Sequence, residues 1–304
     1  MNEEKERPVK EKKKPGRPRK NPPKKTIKRK GISPTPTKNV NQMEFIYDIP
    51  INFKKIFQLF IGLAARHICM QFKENCIHII ACCHLKKTWV KITIDCNKVN
   101  HYYCAKPTTV FLNPGATEKI IKTLNREYTT ISWILTKATD RSSITIVFKN
   151  SIEIDEHRVV NLIQNPGDAC DASFSSEGYP IKFSLTGKYF KQLITVSKAF
   201  SNQLTIEKIG NSPLLFTYSS RDKSATHSHI VRNEKNIKLE STLEDDDIFS
   251  SSVNIDYIEP LSKSLITNSV KISADNFKDI LFETHLDNKT ISVLMSTKIV
   301  ALKN

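Results

Sequence analysis

Glycine is scarce in this chain, with 8 in 304 residues, and the Gly-rich phosphate loops of nucleotide-binding folds are absent. Gly-x-Ser-x-Gly and His-Glu-x-x-His are missing too, so neither a nucleophile elbow nor a zinc-protease helix is written in it. The reading is of a protein that is not an enzyme and needs no cofactor. Apolar runs stay short of the roughly 18 to 20 residues of a membrane span, and the charged N-terminus lacks the apolar centre of a signal peptide. The expectation is a soluble, intracellular protein with no membrane partner. The seven cysteines, Cys69, Cys76, Cys82, Cys83, Cys96, Cys104 and Cys170, are an odd number without Cys-x-x-Cys spacing, which reads as reduced thiols.

Acidic residues are outnumbered, 31 against 47 basic, for a net charge of +16. Residues 1–42 hold 15 basic and 4 acidic side chains, a surplus of +11, so only +5 falls on the other 262 residues. This Pro- and Lys-rich segment has too few apolar groups to offset the entropy of ordering and reads as a disordered basic tail. The rest, in a chain with 39% hydrophobic residues, is long enough for one large or two medium domains.

Along the body, Met43 to Ile49 reads as a strand, and Pro50 opens a helix whose Phe53, Ile56, Phe57, Phe60, Leu63 and Ala64 recur at helical spacing. Strands follow, then a helix from Pro114 with Ile120, Ile121 and Leu124 inward, then more strands. A Gly, Pro, Ser and Asp-rich stretch at 165–180 reads as a linker. The plan then repeats: a strand, a helix with Phe190, Leu193 and Ile194 inward, strands, a helix over Asn254–Thr267, and strands to the end. The fold class is α+β, two tandem units of helices set against largely antiparallel sheets, at 43–164 and 181–304.

Few residues point to chemistry. Glu244-Asp245-Asp246-Asp247 has no partner ligands in view and reads as a solvated loop. Cys76, His78, Cys82 and His84 share one face of a strand, but alternate residues about 6.6 Å apart on a straight strand cannot converge on a tetrahedral ion, so no metal site is assigned. The tail carries a sharper signal. Lys14-Pro15-Gly16-Arg17-Pro18-Arg19-Lys20 holds the Gly-Arg-Pro core of an AT-hook, in which a Pro-extended backbone fits the narrow minor groove of A·T-rich DNA and Arg17 and Arg19 meet its negative potential. A nuclear-import signal or non-specific polycation is the plainer reading of the same residues. In the body, lysines recur on the polar helix faces. Lys54, Lys55 and Arg66 are expected on the first helix, Lys119 and Lys122 on the second, Lys188, Lys191 and Lys198 on the third. The fourth mixes Asp256 and Glu259 with Lys263.

Two tandem α+β halves, a linker and lysine-bearing helices resemble the sliding clamps of the proliferating cell nuclear antigen family. Local segments carry the resemblance: Ala81–Ile94 (ACCHLKKTWVKITI), Thr117–Leu124 (TEKIIKTL) and Leu294–Ile299 (LMSTKI). The basic Gly-Arg-Pro tail, Arg29-Lys30-Gly31-Ile32, Met43 to Asp48 and Lys98 to Tyr103 further resemble the clamp-like proteins of African swine fever virus and related large DNA viruses. The resemblance implies a homotrimer closed head to tail into a pseudo-sixfold ring around double-stranded DNA, acting as a processivity factor for a DNA polymerase in viral replication and repair. DNA ligase and other replication proteins are further implied partners, at a viral replication site in the host cytoplasm or in the nucleus. It implies DNA contact by Lys54, Lys55, Arg66, Lys119, Lys122, Lys188, Lys191, Lys198 and Lys263, beside Arg17, Pro18 and Arg19 of the tail. Leu85, Leu162, Ile163, Phe174 and Ile299 become partner-docking residues. Ring closure is expected on sheet edges at Ser143–Phe148, with Ile144, Ile146 and Phe148, and at Ala225–Val231, with Thr226 and His229. A clamp-fold viral late transcription factor, bound to promoter DNA and RNA polymerase, is the alternative.

Overall fold

A computed structural model describes residues 41–136, 142–152, 154–167, 174–175, 177–220, 222, 224–231, 238–264 and 269–300. Asn39–Asn304 forms one compact unit. Its first half runs β1 (Asn41–Tyr47), α1 (Pro50–Gly62), β2 (Ala65–Phe72), β3 (Cys76–Cys83), β4 (Thr88–Asp95), β5 (His101–Cys104), β6 (Thr108–Leu112), α2 (Pro114–Ile121), β7 (Tyr128–Thr136), β8 (Ser143–Asn150) and β9 (Asp155–Asn161). The second repeats the order with β10 (Ile181–Thr186), α3 (Gly187–Phe200), β11 (Gln203–Ile209), β12 (Leu214–Ser219), β13 (Thr226–Val231), β14 (Lys238–Ser241), β15 (Ile248–Asn254), α4 (Ile255–Ser264), β16 (Ser269–Ala274), β17 (Ile280–Leu286) and β18 (Ile291–Thr297). Each half is therefore strand, helix, five strands, helix, three strands.

Local chemistry sets the helix starts. Pro50 occupies the first turn of α1, where its missing N–H costs nothing. Asn113 Oδ1 accepts from Ala116 N at 3.0 Å to cap α2, and Thr186 Oγ1 accepts from Tyr189 N at 3.2 Å to cap α3. The strands alternate as half-buried strands should: Met43, Phe45 and Tyr47 of β1 point to the core, as do Val90, Ile92 and Ile94 of β4.

The strands pair antiparallel in three sheets. One has the order β5-β1-β7-β8-β9, a second β14-β10-β16-β17-β18-β4-β3-β2-β6, and a third β13-β12-β11-β15. The long sheet joins the halves, because β18 pairs with β4 from Ile291↔Ile94 to Thr297↔Thr88. Asn52 Nδ2 donates to the Tyr47 hydroxyl at 2.9 Å, and that hydroxyl donates to Asp287 of the β17–β18 turn at 2.7 Å, a second tie across the join. The helices pack in the row α2-α1-α4-α3. Between the central two, a Cβ on Gly62 would lie 2.8 Å from Cβ of Pro260, so only glycine permits this approach. Trp133 anchors the first half, with Phe53 and Phe57 ring centroids 5.7 and 6.1 Å away.

The fold corrects several expectations. Arg66 is not on the first helix: α1 stops at Gly62, Ala64 turns to φ +49°, and Arg66 is an exposed residue of β2. The strand Ser143–Phe148 is not an edge, since β8 lies between β7 and β9, and Ile144, Ile146 and Phe148 are fully buried in the core. The edges of that sheet are β5 and β9. Cys69 is disulfide-bonded, against the reading of reduced thiols throughout, while Cys76, Cys83, Cys96 and Cys104 are free thiols.

Candidate nucleic-acid interface and docking face

The basic residues fall into two groups once their partners are known. Lys119, Lys188 and Lys191 are exposed and Lys55 half-buried, and their ammonium groups have no ion pair among the described residues. Lys122 is exposed at the C-cap of α2. Lys54 has a structural task, since its Nζ donates to the carbonyls of Lys122 at 3.1 Å and Leu124 at 2.9 Å. It thereby satisfies the carbonyls that the end of α2 leaves open. Lys198 is engaged by α4, pairing with Asp256 at 3.1 Å and with Glu259. These carboxylates hold its pKa above the ordinary lysine value, the Glu259 hydrogen bond contributing most. Lys263 pairs with the same Glu259 at 2.6 Å. Each helix of the row thus carries lysine, but the uncompensated charge lies on α1, α2 and the first turns of α3. Arg17, Pro18 and Arg19 lie outside the described residues.

The other side of the long sheet is distinct. Residues Ile77, Ile79, Ala81 and Cys83 of β3 enter the main core, whereas Ile80 points the opposite way and joins a second cluster with Cys69 of β2 and Phe111 of β6. Trp89 of β4 and Ile163 pack on this cluster and stay half-buried. The chain leaving β9 is stitched across it: Leu162 bridges to Leu112, and Ile163 N donates to the Phe111 carbonyl at 2.9 Å. The far end of the linker is fixed by Tyr179, whose hydroxyl donates to the Asp279 carbonyl at 2.8 Å and whose ring lies 5.3 Å from Lys278 Nζ.

The five expected docking residues are therefore not equivalent. Ile163 lines the outer cluster, and Leu85 stands 52% exposed in the β3–β4 turn, shortly before Trp89 in the chain. Leu162 and Ile299 pack against the main core instead, and Phe174 is half-buried. Sequence reasoning missed Trp89, Ile80 and Phe111. Their signal was present as apolar residues on the outward positions of strands whose inward positions are apolar as well, the mark of a sheet covered on both faces.

Among the described residues the three sheets end at β5 and β9, at β14 and β6, and at β13 and β15, so β9 and β13 are both edge strands. Val159 of β9 is 60% exposed and Ile230 of β13 58%. Thr226 is exposed at the start of β13, and His229 shares a 2.9 Å hydrogen bond with the Tyr218 hydroxyl.

No family model matches the chain. Among solved structures, it superimposes on proliferating cell nuclear antigen of Entamoeba histolytica with a TM-score of 0.71, at 12% identity, over 86% of this chain and 99% of that one. The same protein of Thermococcus kodakaraensis gives 0.72, at 12% identity, over 85% and 100%. This is the proliferating cell nuclear antigen fold. In sequence, the chain is 24% identical over 282 residues to an uncharacterized protein of African swine fever virus (tick isolate from Pretoriuskop, South Africa), covering 90% of this chain and 93% of the viral one. A second isolate, from a Malawi tick, gives 23% over 295 residues, covering 94% and 97%. The protein thus has a clamp fold of the proliferating cell nuclear antigen type and is related to these viral proteins.

Proposed function

We propose that three copies close head to tail into a ring around double-stranded DNA and act as a sliding clamp, a non-enzymatic processivity factor that tethers a DNA polymerase, and further replication or repair proteins such as DNA ligase, during viral replication. The host cytoplasm, or the nucleus, is the expected place. One observation carries the reading, and it is the join within the chain. There the last strand of the second half, β18, pairs with the strand three after the first helix of the first half, β4. The equivalents of these two strands, β9 of the first half and β13 of the second, are both edges. Repeating the internal join between copies pairs β9 with β13 of the next chain, and the heterologous contact closes when the rotation does. The helix row extends by the same step, α3 meeting the neighbour's α2.

The charge supports the same reading. A clamp holds DNA by topology and needs diffuse positive charge toward phosphates, with no base contacts. Lys55, Lys119, Lys122, Lys188 and Lys191 supply it. Lys54 supports it from the α2 terminus, whereas Lys198 and Lys263 contribute less because Asp256 and Glu259 compensate them. Arg66, on β2, is a weaker contact than the helix lysines. Partners dock on the outer face around the half-buried Trp89 and Ile163, which cover the buried Ile80 and Phe111, with the exposed Leu85 at its margin.

The native mass by light scattering over a concentration series tests the assembly. Three chains of 34.7 kDa give about 104 kDa. A monomer at every concentration contradicts the self-closing ring and favours the transcription-factor alternative.

A further inference from the structure

Three of the free thiols, Cys76, Cys96 and Cys104, come together at one end of the first half, and main-chain pairing brings them there. Cys76 opens β3 opposite Asp95 of β4, and Cys96 N, one residue on, donates to the Asn75 carbonyl at 3.0 Å. From the neighbouring sheet, β5 closes over the β2–β3 turn. The Cys104 thiol donates to the Phe72 carbonyl at 3.8 Å and to the Lys106 carbonyl at 3.1 Å, and the Tyr102 hydroxyl donates to the Lys73 carbonyl at 2.5 Å. Lys73 N in turn donates to the Cys76 carbonyl at 2.9 Å. Burial raises the Tyr102 pKa, and Cys104, Cys96 and Cys76 add to the rise in that order, so all three sulfurs lie within electrostatic reach of one phenol. Among the described residues no three His, Cys, Asp or Glu side chains are grouped to hold a metal ion. The cluster is one of thiols, not of ligands.

The three thiols are not equivalent. Cys96 is 9% exposed, and burial, with Cys76, Asp95 and Cys104 adding to it, pushes its thiol up to about 12, so it stays protonated and unreactive. Cys76 and Cys104 are half-buried and within reach of solvent. Cys76 Sγ lies 3.5 Å from His78 Nε2. Burial, then Lys91 and Lys73, push the His78 pKa down to about 4, so at neutral pH its imidazole is uncharged and can accept the hydrogen bond of the thiol. The same two lysines make the local field positive. A partly exposed thiol in an electropositive setting, beside a hydrogen-bond acceptor and with a second accessible thiol in the same cluster, is the arrangement in which sulfur reacts with an oxidant and is then resolved.

We propose that Cys76 and Cys104 form a peroxide-responsive thiol pair, in which Cys76 is the sulfur that reacts and Cys104 the sulfur that resolves it. The Cys76 thiolate attacks one oxygen of hydrogen peroxide and the O–O bond breaks, so Cys76 is oxidised to a sulfenic acid while the peroxide leaves as water. The Cys104 sulfur then attacks the Cys76 sulfur, the S–S bond forms, the S–O bond breaks, and the hydroxyl leaves with the Cys104 proton as a second water. Two thiols and one peroxide thus give one disulfide and two waters. The bond adds a covalent link where Cys104 and Tyr102 of β5 already hydrogen-bond to the β2–β3 turn, and so ties the five-stranded sheet to the nine-stranded one. None of these residues lies on β9 or β13, so the chemistry is independent of ring closure.

The test exposes the full chain to stoichiometric hydrogen peroxide at pH 7, blocks the remaining thiols with iodoacetamide, and maps the tryptic peptides by mass spectrometry. The intact mass should fall by about 2 Da, and the peptides of Cys76 and Cys104 should be recovered joined, about tenfold sooner than any other thiol is oxidised. Cys76→Ser should slow peroxide consumption about tenfold. Cys104→Ser should stop the reaction at the Cys76 sulfenic acid, which dimedone traps, and Cys96→Ser should change neither step. Oxidation should raise the thermal midpoint of the wild type and leave that of Cys104→Ser unmoved, because only the closed loop restrains the unfolded chain. The map of the wild type needs no variant to fold, and a map without the Cys76–Cys104 link overturns the proposal. So do a bridge that runs to Cys96, first oxidation at Cys82 or Cys83, and a link that forms at the wild-type rate with His78 and Cys76 peptides carrying no dimedone adduct in Cys104→Ser.

Discussion

Closing the ring through β9 and β13 would bury two side chains that the single chain leaves open. Val159 is 60% exposed and Ile230 58% exposed, so neither supports its own fold. Full burial of a Val or Ile side chain is worth about 1.5–3 kcal/mol, and burying the exposed part of each comes to about 1–2 kcal/mol. If the two edges pair between copies, the double variant Val159→Ser/Ile230→Ser loses roughly 2–3 kcal/mol at each contact, about a hundredfold in its dissociation constant. Serine adds no charge and keeps the backbone free to pair, so the loss reports apolar burial. Sedimentation velocity from low to high micromolar protein should show the wild-type trimer giving way to monomer in the variant. The thermal midpoint of the monomeric variant should stay within the range expected for surface changes. A trimer as tight as the wild type's would refute the assignment of these edges. The comparison variant is Ile146→Ser, which should unfold the first half because Ile146 is fully buried on β8.

Replacing Lys119, Lys188 and Lys191 together by alanine should weaken DNA binding without changing sequence preference, and reduce the log-log salt slope by roughly 2–3; an unchanged slope would remove these lysines from the interface. His78 is held near a pKa of about 4 by burial, Lys91 and Lys73, against 6.5 in the unfolded chain, so its contribution is present above pH 6.5 and lost as pH falls from there toward 4. Urea denaturation should therefore show His78→Gln losing about 1–2 kcal/mol less than wild type between pH 7 and pH 4.5, and parallel losses would contradict the shift. Gly62→Val should destabilise by about 1–3 kcal/mol, as read from the thermal midpoint, because a Cβ at this position meets the Pro260 ring at 2.8 Å. For the tail, the full chain should prefer A·T-rich to G·C-rich duplex and residues 43–304 should not; equal preference in both removes the AT-hook reading.

Periodicity makes the helices and the repeated halves legible, because both are local patterns: Phe53, Ile56, Phe57 and Phe60 are all fully or nearly fully buried as their spacing implies. What depends on distant pairing is not legible in this way. The sequences of β8 and β9 do not say which of the two is covered, and the more regular apolar run of β8 points to the wrong one as the edge. Arg66 reads as helical because Leu63-Ala64-Ala65 continues the helical composition, and nothing local announces that Ala64 turns left-handed. The short strands β6 and β14, with sequences TTVFL and KLES, stay hidden because four or five residues are too few for a period. Among the candidate DNA contacts, the charge count is readable but its compensation is not: Lys198 finds Asp256 and Glu259 some sixty residues away. The outer cluster is legible only through Ile163, while Trp89 and Phe111 read only as strand residues.

Retention on DNA of defined topology tests the central claim most directly. The protein is bound to a nicked circular plasmid and to the same plasmid cut once, each immobilised, and both are washed at a salt concentration that screens the lysine contacts. A ring that encircles DNA stays on the circle and slides off the open ends, so cutting the retained circular complex should release it. Equal loss from circle and linear DNA, with the protein trimeric, would contradict the clamp.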